Sequence, residues 1–206
     1  MKKSTSAILI ILCFSMICYA CKTSKMNNDR CIQLIQHSRT TPVLSDGEMK
    51  RIKSLFASNR MDDTKYQFYQ IDTDELGFRH VKGYQFVNNL KVFSEALIFH
   101  FNQQDSCYLV SGDLINSIGL DSKPSQQVNK VIDVFIGQIE QEKASKVDKA
   151  ILNGCFEAEF GYIKLDDSIQ KFAKVWKVNP TDKSHPFAYI SDENAEIIVY
   201  DNGVRY

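Results

Sequence analysis

The stretch "DELGFRHVKGYQFVNNLKVFSEALIFHF", Asp74–Phe101, decides how this chain is read. Two runs rich in β-branched and aromatic residues, Gly77–Val87 and Leu90–Phe101, flank Asn88–Asn89. Asparagine tolerates the positive φ that a two-residue turn needs, so the stretch predicts a tight hairpin. "YQFYQI" (Tyr66–Ile71) precedes it as a further strand. "NQQDS" (Asn102–Ser106) turns the chain into "CYLVSGDL" (Cys107–Leu114), completing an antiparallel meander. With Val87 opposite Leu90, simple counting puts His80 opposite Leu97 and His100 opposite Gly77. Side chains alternate with period two, so the two histidines fall on opposite faces. Both are therefore read as structural, with no shared metal site or acid–base pair.

Helices flank the meander. "SDGE" (Ser45–Glu48) has capping-box spacing. Met49, Ile52, Leu55 and Phe56 follow at helical spacing, which predicts a helix over Asp46–Ser58. A second helix is predicted within Ser122–Lys143, with Ser125 as N-cap after Pro124 and Val128, Val131, Ile132, Phe135 and Ile139 on one face. Four strand-like runs follow: Glu159–Leu165, Lys171–Asn179, Pro186–Ser191 and Ala195–Asp201. Helix then strands, twice over, gives an α+β fold of two small subdomains, each an antiparallel sheet covered by one helix. The boundary is drawn at residues 115–116, giving subdomains 45–115 and 116–206, where Gly, Ser, Asp and Pro begin to cluster. Between Cys31 and Leu44 the pattern is weak, and Ile32, Leu34 and Ile35 suggest a short strand.

The chain has 206 residues with 25 basic and 25 acidic side chains, so broad attraction to nucleic acid is not expected. Lys2 and Lys3 followed by the apolar run Ala7–Ile17 read as a signal peptide over residues 1–20. "CYAC" (Cys18–Cys21) is similar to a bacterial lipobox, with Cys21 as the lipidated residue, and residues 21–44 then form a tether and leader. The expected location is the bacterial cell envelope, lipid-anchored to a membrane. Cys31, Cys107 and Cys155 remain, an odd count whose pairing is left open; Cys107 reads as a small buried hydrophobe.

The opening stretch, extended to Leu114, closely resembles the FTP segment of thermolysin-like metalloprotease propeptides. The resemblance rests on Leu76, Gly77, His80, Val81, Gln85, Asn88, Val92, Phe93, His100, Val110, Ser111, Gly112 and Leu114. Asn89 stands where the family has Gly, and Lys91 where it has Pro. The second half resembles the PepSY segment that follows FTP in those propeptides, through "KFAKVWKV" and "FAYISDENAEIIVYDNGV". The proteases carry His-Glu-x-x-His; here His37, His80, His100 and His185 neither precede Glu nor lie four residues apart.

No phosphate loop, nucleophile elbow or metal spacing is present, so no enzyme activity, catalytic residue, metal or cofactor is expected. Asp166–Asp167 and Asp192–Glu193 read as solvated turn carboxylates, and Trp176, Tyr162 and Phe172 as packing rather than a sugar platform. The resemblance implies a non-catalytic module that binds and inhibits, or helps to fold, a thermolysin-like zinc protease in trans. Phe78, Tyr84, Phe86, Phe93 and Tyr206 are the expected docking residues. The alternatives are an envelope lipoprotein that binds peptide or glycan, and an assembly partner of another envelope protein.

Overall fold

A computed structural model of the chain describes residues 30–35, 44–143, 147–166 and 171–204, apart from the side chains of Ser94, Glu95 and Asp166. The signal segment, Cys21, His37, Asp167 and Tyr206 lie outside the described residues. Ile32–Tyr206 forms one compact unit.

Helix α1 spans Asp46–Ser58, the predicted bounds. Ser45 caps it reciprocally: its Oγ accepts from the Glu48 amide, and the Glu48 carboxylate accepts from the Ser45 amide at 2.7 Å. Asn59 ends the helix, its Nδ2 donating to the Leu55 carbonyl and to that of Asp105. Helix α2 spans Val128–Gln141 and buries Val131, Ile132, Phe135, Ile136 and Ile139. Its N-cap is Gln127, without a side-chain bond. Ser125 is not the cap; its amide donates instead to the Asp192 carboxylate.

Among the described residues, nine strands form one sheet: β1 (Ile32–Ile35), β2 (Tyr66–Thr73), β3 (Arg79–Val87), β4 (Leu90–Phe101), β5 (Cys107–Ser111), β6 (Phe156–Asp166), β7 (Lys171–Pro180), β8 (Phe187–Ser191) and β9 (Ile197–Asp201). The path runs β2-β3-β4-β6-β7-β8-β9, with β5 on β4 and β1 on β6. This corrects the expectation of two separate sheets. The join is a parallel ladder of two pairs, Lys91↔Gly161 and Val92↔Tyr162. It is this close because position 161 is glycine: a Cβ there would lie 2.5 Å from the Lys91 carbonyl oxygen and 2.6 Å from the Phe93 ring.

Two hydrophobic clusters lie on the helix side. Under α1, Phe56 packs edge-on to Phe68 (4.7 Å) and Phe99 (4.8 Å), with Val81, Leu97 and Phe101 around them. Each such side chain contributes roughly 1.5–3 kcal/mol by leaving water. Under α2 the cluster includes Phe156, Tyr162, Trp176 and Val178. It also takes Val87, Leu90 and Val92 from the β3–β4 hairpin, and Ile115 and Ile118 from beside the expected boundary. Val81 and Val87 share one face of β3, so both clusters use the same side of the sheet.

Candidate functional site

The other side of the sheet carries the groups that the helices leave uncovered, and its geometry follows from one irregularity. Asn88 (φ 51°) and Asn89 (φ 62°) form the predicted turn, and Val87 pairs with Leu90. Phe86 pairs with Lys91, but Tyr84 pairs with Ala96. One β3 residue therefore faces four of β4, because β4 leaves β3 there to meet β6. An odd slip reverses face parity. His80 is thus the register partner of His100, which corrects the expectation of opposite faces.

The two imidazoles meet at Nδ1···Nδ1 2.8 Å, with ring centroids 4.9 Å apart. The His80 Nε2 faces the Asp74 carboxylate at 3.4 Å, and the His100 Nε2 faces the Ser111 hydroxyl at 3.0 Å. Asp74 is itself held by the amides of Leu76 (3.0 Å) and Phe78 (2.8 Å). Desolvation works against its charge, yet the Phe78 amide, His80 and the Leu76 amide outweigh it and keep the carboxyl below its ordinary range. Burial, and then the neighbouring His80, hold His100 below the ordinary histidine value. A single tautomer set satisfies the chain: Ser111 O–H to His100, His100 Nδ1–H to His80, His80 Nε2–H to Asp74.

An aromatic stripe runs from these strands across the sheet. Tyr69 contacts Tyr84 (5.0 Å), Lys91 lies 4.1 Å over the Tyr84 ring, Phe93 contacts Tyr189 (5.4 Å), and Tyr189 contacts Phe187 (5.6 Å). Lys91 also pairs with Glu159 at 3.9 Å. Burial pushes Lys91 down and Glu159 up, each towards its neutral form. Burial, Tyr84 and Glu159 push the Tyr189 hydroxyl up to about 12. Among the expected docking residues, Phe78 is half-buried against Tyr108 (5.8 Å) and Tyr84 is half-buried in the stripe. Phe86 and Phe93 are buried, so neither is accessible in this form of the chain.

The remaining motif residues occupy turns, buried positions and the sheet join. Leu76 is exposed and Gly77 sits beside it in the turn before β3. Gln85 is buried and binds both backbone groups of Ile115; Asn88 donates to the carbonyls of Ile118 and Leu120. Val92 is buried at the sheet join. Gly112 has φ 95°, and a Cβ there would come within 2.9 Å of Leu97, so glycine is required after Ser111.

Sequence reasoning missed Asp192. It is fully buried, not a solvated turn residue, whereas Glu193 beside it is exposed. Its carboxylate accepts from the amides of Ser125 and Gln126 and from Trp176 Nε1 (3.1 Å), and pairs with Lys174 at 3.3 Å. Burial opposes the Lys174 charge, but Asp121 and Asp192 together raise it above the ordinary lysine value. Trp176 packs on Phe160 at 5.0 Å. The cysteines also separate: Cys31 and Cys155 are disulfide-bonded and Cys107 is free.

On the helix side, a cleft of about 690 Å³ lies beside the hairpin tip, with Leu34, Leu90, Phe160 and Trp176 on its apolar wall and Asn88, Asn89 and Ser122 among its polar groups. Among the described residues, no group of three or more His, Cys, Asp or Glu side chains is arranged to hold a metal, and no helix is long and apolar enough to cross a membrane.

Comparison with curated proteins finds no significant match. A family comparison does: residues 64–114, which begin just before β2 and end just after β5, match the Fungalysin/Thermolysin Propeptide Motif, so this part of the chain is a propeptide-like FTP segment.

Proposed function

We propose that the protein is a non-catalytic, exported module that binds a thermolysin-like zinc protease in trans and inhibits it or assists its folding. The observation that carries this reading is the propeptide motif at residues 64–114. His-Glu-x-x-His does not occur in these 206 residues, and this reading takes the protease to be a separate chain. The sheet face away from the helices suits docking. It offers Tyr84 and Tyr189 as half-buried aromatic anchors, a residue type enriched at interface centres. Lipidation at Cys21 would hold the module on the bacterial cell envelope, and residues 116–206 would serve as the PepSY-like half.

The test is a titration of the purified protein into thermolysin-like proteases of the same bacterium, following peptide hydrolysis. Saturable inhibition without cleavage of the module is the expected result. No inhibition at tens of micromolar by a folded protein would overturn the reading for those proteases.

The second reading is an envelope lipoprotein that binds peptide or glycan, and the cleft beside Asn88–Leu90 favours it. Its volume and its apolar wall with a few polar groups are those of a ligand pocket. Trp176 fluorescence separates the two readings: it would respond to a small ligand in the cleft but not to a protease on the opposite face.

A further inference from the structure

The His80–His100 pair has a geometry that a proton bridge uses only in part. Both ring planes are fixed from outside. His80 is held through Nε2 by Asp74, itself anchored by two backbone amides, and His100 through Nε2 by Ser111. Ser111 precedes Gly112, whose backbone conformation excludes other residues. The two Nδ1 atoms therefore meet at 2.8 Å from adjacent strands, while their far nitrogens face the Asp74 carboxylate and the Ser111 hydroxyl. Imidazoles that donate their outer N–H to a carboxylate or hydroxyl present the inner nitrogen as a metal ligand of fixed tautomer.

We infer that His80 and His100 form a two-imidazole site for a divalent transition-metal ion, with both Nδ1 atoms as ligands and Asp74 and Ser111 as their orienting partners. With metal–nitrogen bonds of about 2.0–2.1 Å, a 2.8 Å separation corresponds to an angle of about 85–90° at the metal. Tetrahedral zinc needs the two nitrogens about 3.3 Å apart. A right angle instead suits neighbouring ligands of a tetragonal or octahedral ion, so the site selects Ni²⁺ or Cu²⁺. Binding moves one proton within His100, from Nδ1 to Nε2, where it is donated to Ser111 Oγ. No proton leaves the neutral pair. Both rings are part-exposed on the helix-free face, so water fills the remaining coordination positions.

The test uses Ni²⁺, because the free Cys107 thiol would reduce Cu²⁺. NiCl₂ is titrated into the purified protein by calorimetry and by following paramagnetic broadening of backbone amide signals. The expected result is saturable binding of one ion per chain, with broadening centred on residues 79–81, 99–101 and 110–112. His80→Gln and His100→Gln should weaken binding by about 100-fold, and Ser111→Ala and Asp74→Asn, which leave both ligands in place, by about 10-fold. His185→Gln, on a histidine remote from the pair, should change nothing. ZnCl₂ should bind more weakly than NiCl₂. Absence of saturable binding below about 1 mM would overturn the site. So would broadening centred on His185 or the N-terminal segment, or affinity unchanged in the double His80→Gln/His100→Gln variant. Zinc binding as tight as nickel would overturn the right-angle assignment. If either histidine variant fails to fold by circular dichroism, Ser111→Ala and Asp74→Asn decide the matter.

Discussion

Gln85 and Ile115 exchange two hydrogen bonds: the Gln85 amide donates to the Ile115 carbonyl, and its oxygen accepts from the Ile115 amide at 3.0 Å. Both residues are buried, 30 positions apart in sequence. The exchange fixes the segment after β5 where it turns towards α2. Gln85→Leu keeps the volume but orphans two buried backbone groups, each at about 1–3 kcal/mol. The expected loss is about 2–4 kcal/mol in urea unfolding.

Gly161 sets the spacing at which the two halves of the sheet meet. Gly161→Ala forces its new methyl against the Lys91 carbonyl and the Phe93 ring. The expected cost is about 1–3 kcal/mol. Amide exchange should locate it: the amides of the Lys91–Val92 and Gly161–Tyr162 ladder should lose protection before those of β7 and β8.

Asp192→Ala leaves Trp176 Nε1, two backbone amides and Lys174 without their common acceptor. Removing one partner of such a buried pair costs about 3–5 kcal/mol. Trp176 emission should shift to the red in the same variant. Asp192→Asn, which retains an acceptor, should fall between it and the wild type.

Lys91 and Glu159 are both mostly buried beside Tyr84 and Tyr189, with Lys177 and Glu157 as further charges nearby. Burial raises the folded pKa of Glu159 above its unfolded value. Its contribution to stability is therefore full below the unfolded carboxylate pKa and is lost as pH rises through the raised folded value. Glu159→Leu should abolish that decline on the alkaline side of the carboxylate range, while leaving Lys91 buried and unpaired. The double variant Lys91→Met/Glu159→Leu should be at least as stable as the wild type at pH 7, because well-packed apolar groups replace a poorly compensated pair. Thermal melts from pH 4 to pH 8 check both statements.

Cys31 and Cys155 directly precede Ile32 and Phe156, the first registered pair of β1 and β6. Digestion without reductant should yield one peptide linking Cys31 to Cys155. Cys107, whose thiol burial pushes up, should alkylate slowly in the folded protein and quickly in urea.

What was legible in the sequence was local. Ser45 and Glu48 are three residues apart, so their reciprocal cap and the bounds of α1 could be read directly. The Asn88–Asn89 turn was legible for the same reason. Ser125 misled because its amide is claimed by a carboxylate 67 positions later, and no local pattern announces that partner. His80 and His100 misled because their facing depends on where β4 departs for β6, a choice made by Gly161. β1 was barely visible because its four residues pair only with β6, whose pairing segment lies over a hundred residues downstream. The same distance hid Asp192: beside an exposed Glu193, only tertiary structure shows that it is fully buried.

The two-pair join has a temporal consequence. β4 meets β6 roughly 70 residues later, at Val92↔Tyr162, and β1 must wait for Phe156–Glu159. A chain emerging from its N-terminus can close the β2–β3–β4–β5 meander early. It cannot complete the sheet, or pair the strand nearest the expected anchor, until β6 has arrived. During that interval Ile32–Ile35 has no ladder partner, so β1 enters the sheet only after Glu159 has been made.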